Sequence, residues 1–141
     1  MSLLRVMVVD DEPLIRTVLG EILKSHDLEV VCQAGDGAEA VRKARQFKPD
    51  LVLMDIKMPV MNGFEAARLI MHEQPEISIL MLTQYQSAAF AREAAAAGAS
   101  GYVSKGGASV DLLAAIQKAC ARHLENQGSR TPAAHRRPAR I

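Results

Sequence analysis

The chain has 141 residues, a formal net charge of +1, 49% hydrophobic residues, few aromatics and no tryptophan. That length predicts one domain with a real core. It contains no apolar run near the roughly 20 residues of a membrane span. The charge is uneven: residues 122–141 hold five arginines against one glutamate, which leaves 12 basic and 15 acidic residues in 1–121, a balance of −3. Neither value is extreme enough to name a partner. The start, Met1-Ser2-Leu3-Leu4-Arg5, lacks the charged region and cleavage site of a signal peptide. Cys32 and Cys120 lie far apart in apolar surroundings and read as free buried thiols, which suits a reducing, cytoplasmic location.

Leu3 to Val9 is a strand candidate that ends at Asp10-Asp11-Glu12. Pro13 fits the first position of a helix, and Leu14, Ile15, Val18, Leu19, Ile22 and Leu23 recur at helical spacing as far as Lys24. Leu28 to Gln33 is a second short strand. Asp36-Gly37-Ala38-Glu39 has the Asp cap and the Glu three residues on that open a helix, here to about Phe47. Leu51 to Met54 is apolar at every position, as in a strand buried on both faces, and it stops at Asp55. Lys57, Pro59, Asn62 and Gly63 cannot continue a central strand. Asn62 with Glu65 repeats the cap before a helix to about His72. Ile77 to Leu82 is a fourth strand, stopping at Thr83. Ser87 to Ala97 is an Ala-rich helix stopped by Gly98. Gly101 to Ser104 is a fifth strand before Lys105. Ser109 caps a last helix with Leu112, Leu113, Ile116, Cys120 and Leu124 on one face. Aperiodic Pro, Arg, Ser and Ala from Asn126 onward read as a flexible basic tail, so the expected division is a domain over 1–124 and a tail over 125–141.

Strands alternating with helices demand right-handed crossovers, hence an α/β fold: a five-stranded parallel sheet with helices on both faces. In such a sheet the strand ends share one edge, and ligands bind at that edge where strand order reverses. Asp10 with Asp11, Asp55, Thr83 and Lys105 each follow or close a different strand. If the order is the flavodoxin-like 2-1-3-4-5, strands one and three are neighbours roughly 4.8 Å apart, and their acids crowd at the switch point. Crowded carboxylates repel and raise each other's pKa. A hard cation such as Mg²⁺ or a lysine ammonium relieves this. That set suits phosphoryl transfer to a carboxylate, with metal and lysine screening the transferring group and Thr83 donating a hydroxyl. Singly, each residue has a plainer reading: a turn-capping Asp, helix N-terminal acids, a strand-ending Thr and a solvated Lys. Their combination on four strand ends favours a site.

These motifs carry a family resemblance. Val8-Val9-Asp10-Asp11-Glu12-Pro13, the run from Asp55 through Lys57, Met58 and Pro59 to Gly63, Thr83, and Gly101-Tyr102-Val103-Ser104-Lys105 occur in the order of a bacterial two-component response regulator receiver domain. Over about residues 3–124 the chain resembles such a receiver, either of a LuxR- or NarL-type regulator or a stand-alone chemotaxis-type one. The resemblance implies that Asp55 accepts phosphate from the phosphohistidine of a sensor histidine kinase. It implies that Asp10, Asp11, Asp55 and the Lys57 carbonyl hold Mg²⁺, that Thr83 and Lys105 read the phosphoryl group, and that Tyr102 turns inward when Thr83 moves. The expected output surface, for a downstream effector or a second copy, is the helix 87–97, strand 101–104 and helix 109–124. Two positions depart from the pattern. Gly106-Gly107 stands where the family usually has Pro after the lysine, which leaves the isomer of the Lys105–Gly106 bond open. Gln84 is bulkier than usual and bears on access to the phosphate.

Two other function classes compete. An aspartate-nucleophile phosphohydrolase typically has a second Asp two residues after the first, and Lys57 stands there. The other is the N-terminal fragment of a DNA-binding transcription factor: about 17 residues after Leu124 are too few for a helix-turn-helix, so this chain alone is expected to bind no specific DNA sequence. His26, His72, His123 and His135 lack metal-ligand spacing. Met54, Met58, Met61, Met71 and Met81 read as core or loop filler, and no nucleotide-binding glycine motif occurs. The domain is not expected to be an enzyme beyond catalysing its own phosphoryl transfer and dephosphorylation.

Overall fold

The computed structural model describes residues 4–84, 87–105 and 111–119. The strands are β1 (Arg5–Val9), β2 (Glu29–Ala34), β3 (Leu51–Asp55), β4 (Ser78–Thr83) and β5 (Gly101–Ser104). Between them run α1 (Pro13–Ser25), α2 (Gly37–Phe47), α3 (Gly63–Glu73) and α4 (Ala88–Ala96). A fifth helix, α5, is described over 111–119. All strand pairs are parallel, in the order β2-β1-β3-β4-β5. The apolar runs explain the order of burial: every residue of β3 and β4 is buried, whereas edge strand β2 is mostly half-buried. The proposed cap and tail boundaries beyond 119, Ser109, Cys120 and the tail itself lie outside the described residues.

Strand alternation divides the core in two. Met7, Val9, Val52, Met54, Ile79 and Met81 face α2, α3 and α4, and Val6, Val8, Leu51, Leu53, Leu80 and Leu82 face α1 and α5. Met54 and Met81 are fully buried, and Met58, Met61 and Met71 pack partly buried on the first cluster, as their sequence setting suggested. On α5, Leu112 and Ile116 are buried on the second. Helix α1 departs from the sequence reading: Leu14 and Val18 extend its apolar spacing but are exposed, at 72% and 47%. The stripe is wider than the single sheet face α1 covers, and Leu23 is its one fully buried residue. Cys32 is a free thiol but only half-buried, because it lies on the edge strand.

The caps form as the sequence spacing requires. Asp36 accepts the Glu39 N–H at 2.8 Å, Asn62 accepts that of Glu65 at 3.0 Å, and Ser87 accepts that of Phe90 at 3.2 Å. Glu39 reaches back to the Gly35 N–H at 2.7 Å. At the opposite sheet edge, Arg5 donates to the carbonyls of Phe47 and Lys48, both at 2.7 Å. It thereby closes the C-terminus of α2 onto β1, where cations are favoured.

Two glycines set how closely the β3–α3 loop packs. A Cβ at Gly63 would overlap the Asp55 carbonyl, and one at Gly37 would overlap that of Met61. The Gly63 N–H also donates to the Ile56 carbonyl at 2.8 Å. Between them Met61 N–H bonds the Pro59 carbonyl at 2.7 Å across Val60, whose φ is +70°. That tight γ-turn is strained for a β-branched residue. Gly63→Ala is therefore expected to cost about 1–3 kcal/mol by overpacking. Gly20→Ala, in α1 with open space around it, is expected to stabilise by roughly 0.5–1 kcal/mol. Urea unfolding of both variants checks this, and equal effects of the same sign would contradict the packing argument.

Candidate functional site

The β-sheet register brings four strand ends to one edge. Val9 pairs with Met54, Asp55 with Leu82, and Thr83 with Ser104. Asp10, one residue past Val9, therefore comes level with Asp55, and Lys105 follows directly on the β4–β5 pairing. Its N–H donates to the Thr83 carbonyl at 2.7 Å. Parallel pairing with a short turn after each strand is what places acid, acid, hydroxyl and amine side by side.

Asp10 is fully buried. Its N–H donates to the Ala34 carbonyl at 3.1 Å, and its Oδ1 accepts the Glu12 N–H at 3.0 Å. Its Oδ2 forms an ion pair with Lys105 Nζ at 2.8 Å. Lys105 Nζ also stands 3.3 Å from Asp55 Oδ1. Asp55 and Thr83 are buried, and Asp11 is exposed at the mouth. One carboxylate oxygen from each of Asp10, Asp11 and Asp55 lies within 4.8 Å of the others. A cleft of about 110 Å³ opens on this group, lined by Asp11, Glu12, Asp55, Ile56, Lys57, Gln84 and Lys105.

The electrostatics follow from burial and crowding. Burial first, and then the Asp10 charge, push the Asp55 carboxyl up to about 6, with Lys105 pulling the other way. Burial draws Lys105 down, but its contacts with Asp10 and Asp55 outweigh that and hold it above the usual ammonium range. One ammonium thus faces two buried acids, and a third acid stands at the mouth. The three convergent carboxylate oxygens fit a hard divalent cation, which takes oxygen ligands.

Every site residue named from the sequence falls at this edge except Tyr102. That side chain is half-buried on β5 and packs on the α2–α3–α4 side of the sheet. Gln84 lines the cleft, as its position after Thr83 suggested. Gly106 lies outside the described residues. Two features escaped the sequence reading. Gly63 was read only as helix punctuation, although it is what lets α3 close on the Asp55 carbonyl. The sequence reading did not single out Arg16, whose Nη1 donates to the Asp10 carbonyl at 2.6 Å. Its place one turn into α1, directly after a strand end, was the available signal.

The fold and this edge define a receiver. The chain belongs to the response regulator receiver domain family, whose model matches residues 6–117. Its members typically accept a phosphoryl group in two-component signalling. It is 41% identical over 116 residues to response regulator GacA of Pseudomonas viridiflava, covering 82% of this chain and 54% of that protein. It is 41% identical over 121 residues to the transcriptional regulatory protein PdtaR of Mycobacterium tuberculosis, covering 86% and 58%. Among solved structures it resembles a LuxR-family two-component response regulator from Aurantimonas sp., with a TM-score of 0.82, 38% identity, and 86% and 87% of the two chains covered. The chain spans about half the length of the curated relatives it matches. Among the described residues no helix is long and apolar enough to cross a membrane.

The raised Asp55 pKa has a stability consequence. The folded state holds this proton up to about pH 6, whereas the unfolded chain releases it near 3.8. Folding stability from this group is therefore full below pH 4, falls as pH rises towards 6, and stays lost above. Asp55→Asn removes the loss. Without metal at pH 7 the variant is expected to be more stable than the wild type, by at most about 3 kcal/mol, and equally stable at pH 3.5. Urea midpoints in EDTA at the two pH values check this; a difference independent of pH would contradict it.

Proposed function

We propose that Asp55 is the phosphoryl acceptor of a Mg²⁺-dependent switch, with a sensor histidine kinase as donor. The observation that carries this is the buried Asp55 at the end of β3, with Asp10 and Asp11 converging on it and Lys105 Nζ 3.3 Å away. A pKa of about 6 leaves Asp55 mostly ionised at neutral pH. Its oxygen attacks phosphorus, the bond from phosphorus to the donor imidazole breaks, and the electron pair leaves with the imidazole. Asp10, Asp11 and Asp55, with the Lys57 carbonyl, would hold Mg²⁺, which supplies charge screening of the transferring phosphoryl group. Lys105 and the Thr83 hydroxyl hold the phosphoryl oxygens, and exposed Gln84 at the rim sets water access and hence the lifetime of the acyl phosphate. The domain's own phosphoryl transfer and dephosphorylation are the only chemistry assigned to it, and it works in the cytoplasm.

The new charge, about −1.5 to −2, is read on β4 and β5. Thr83 closes on the phosphoryl group and Tyr102 fills the space it leaves. The responding surface is α4, β5 and α5, which engages a downstream effector or a second copy. Support comes from α4, which buries only Ala94 within its span and so moves at little cost. The receiver occupies 1–124, and the basic segment 125–141 adds no sequence-specific DNA binding to this chain. The phosphohydrolase reading is disfavoured by Lys57, an exposed lysine lining the cleft where a second acid would be needed. Incubation with Mg²⁺ and acetyl phosphate should add one phosphate to the intact mass, labile to hydroxylamine. No addition, or addition that persists in Asp55→Asn, would refute the assignment.

A further inference from the structure

The mechanism so far leaves Arg16 unused, although its guanidinium makes the shortest side-chain contact to the acid pair's backbone. Nη1 donates to the Asp10 carbonyl at 2.6 Å, and Nε donates to Gln33 Oε1 at 3.2 Å on neighbouring β2. The Asp10 carbonyl belongs to the peptide plane that joins Asp10 to Asp11. A donor fixed on that oxygen fixes the plane, and with it the direction in which the Asp11 side chain leaves the backbone. Asp10 itself is held three further ways, through its N–H to Ala34, its Oδ1 to the Glu12 N–H, and Lys105. Asp11 is exposed and lies in the turn, beyond the β1 ladder.

The start of α1 makes this turn depend on such an anchor. Helix N-termini are usually fixed by a side-chain cap. Here the N-cap position is Glu12 with no side-chain cap bond, Pro13 has no N–H to offer, and the first turn holds no acid. The clamp comes instead from Arg16, in the second turn, folding back onto the strand end while Gln33 orients the guanidinium from the other side.

We propose that Arg16 is a positioning residue: by pinning the Asp10–Asp11 peptide it holds the Asp11 carboxylate where a divalent cation can join it to Asp10 and Asp55. This rests on the reading of the acids as a Mg²⁺ site. Positioning and plain electrostatics predict opposite signs. Removing a cation beside an acidic cluster should tighten Mg²⁺ binding through charge alone, whereas freeing the Asp11 peptide should weaken it. Loss of a residue that orients metal ligands typically costs about 10–100-fold in metal affinity.

The test is the Mg²⁺ dissociation constant, measured by calorimetry on the unphosphorylated full chain, beside urea stability. Arg16→Ala is expected to weaken Mg²⁺ binding at least tenfold. Arg16→Lys, which can still reach one carbonyl, should recover part of the loss, and Gln33→Ala should show a smaller loss. Arg42→Ala, which removes an exposed cation from α2, should leave the constant unchanged. If Arg16→Ala does not fold, Arg16→Lys and Gln33→Ala carry the same test. Lowered stability with an unchanged or tighter constant in these variants would overturn the proposal. A wild-type chain that binds no Mg²⁺ would instead overturn the reading of the acids as a metal site.

Discussion

The ammonium of Lys105 lies between two buried carboxylates, and the rest of the site is arranged around that shortage of positive charge. It stands 2.8 Å from Asp10 and 3.3 Å from Asp55, with Asp11 converging on the same point. One cation cannot satisfy three acids, two of them removed from water. Burial first, and then the Asp10 charge, lift the Asp55 carboxyl to about 6, and the imbalance gives a divalent cation its place. The domain keeps its acids together at a cost in stability, as expected where function, and not folding, selects the residues.

The backbone holds this charge cluster together against its own repulsion. Parallel register puts Asp10, Asp55, Thr83 and Lys105 at one edge, and two fully buried central strands make that edge rigid. The β3–α3 loop is then pressed onto the site by contacts that only glycine permits, at Gly63 against Asp55 and at Gly37 against Met61. The γ-turn at Val60 carries the strain between them. Strain close to a reactive residue persists only where the surroundings over-determine the conformation, and here both neighbouring helices do so. In contrast, α4 is attached lightly: Ala94 is its buried residue, and its links to α3 are the Phe64–Phe90 stack and the exposed Arg68–Glu93 pair. A rigid acid edge beside a lightly held helix is the mechanical arrangement a charge-driven switch requires.

Most of this was legible in the chain itself. The unbroken apolar run Leu51–Met54 announced a strand buried on both faces, and Asp36 and Asn62 announced their helices, because both signals are local. The strand-end polar residues could be grouped because parallel topology sends all strand ends to one edge. What stayed hidden depends on three-dimensional approach. Gly63 and Gly37 read as punctuation, since nothing local reveals that a carbonyl from elsewhere lies over them. Arg16 drew no notice because its partner is a backbone oxygen six residues earlier. Leu14 and Val18 fit the helical stripe but stand in solvent, because the period says which residues share a face and not how wide the covering sheet is. Cys32 looked buried from its apolar neighbours and is only half so, because sequence does not say which strand lies at the edge.

The central claim is that burial and acid crowding set the charge state of Asp55 and that a divalent cation relieves the crowding. Carbon-detected NMR titration of the aspartate carboxyls, without metal and with saturating Mg²⁺, measures this directly. The account predicts that Asp55 titrates near 6 without metal and that Mg²⁺ moves the midpoint down, below the ordinary carboxylate value of about 3.9. An Asp55 that titrates at the ordinary value in both conditions, or one that Mg²⁺ leaves unmoved, would contradict it.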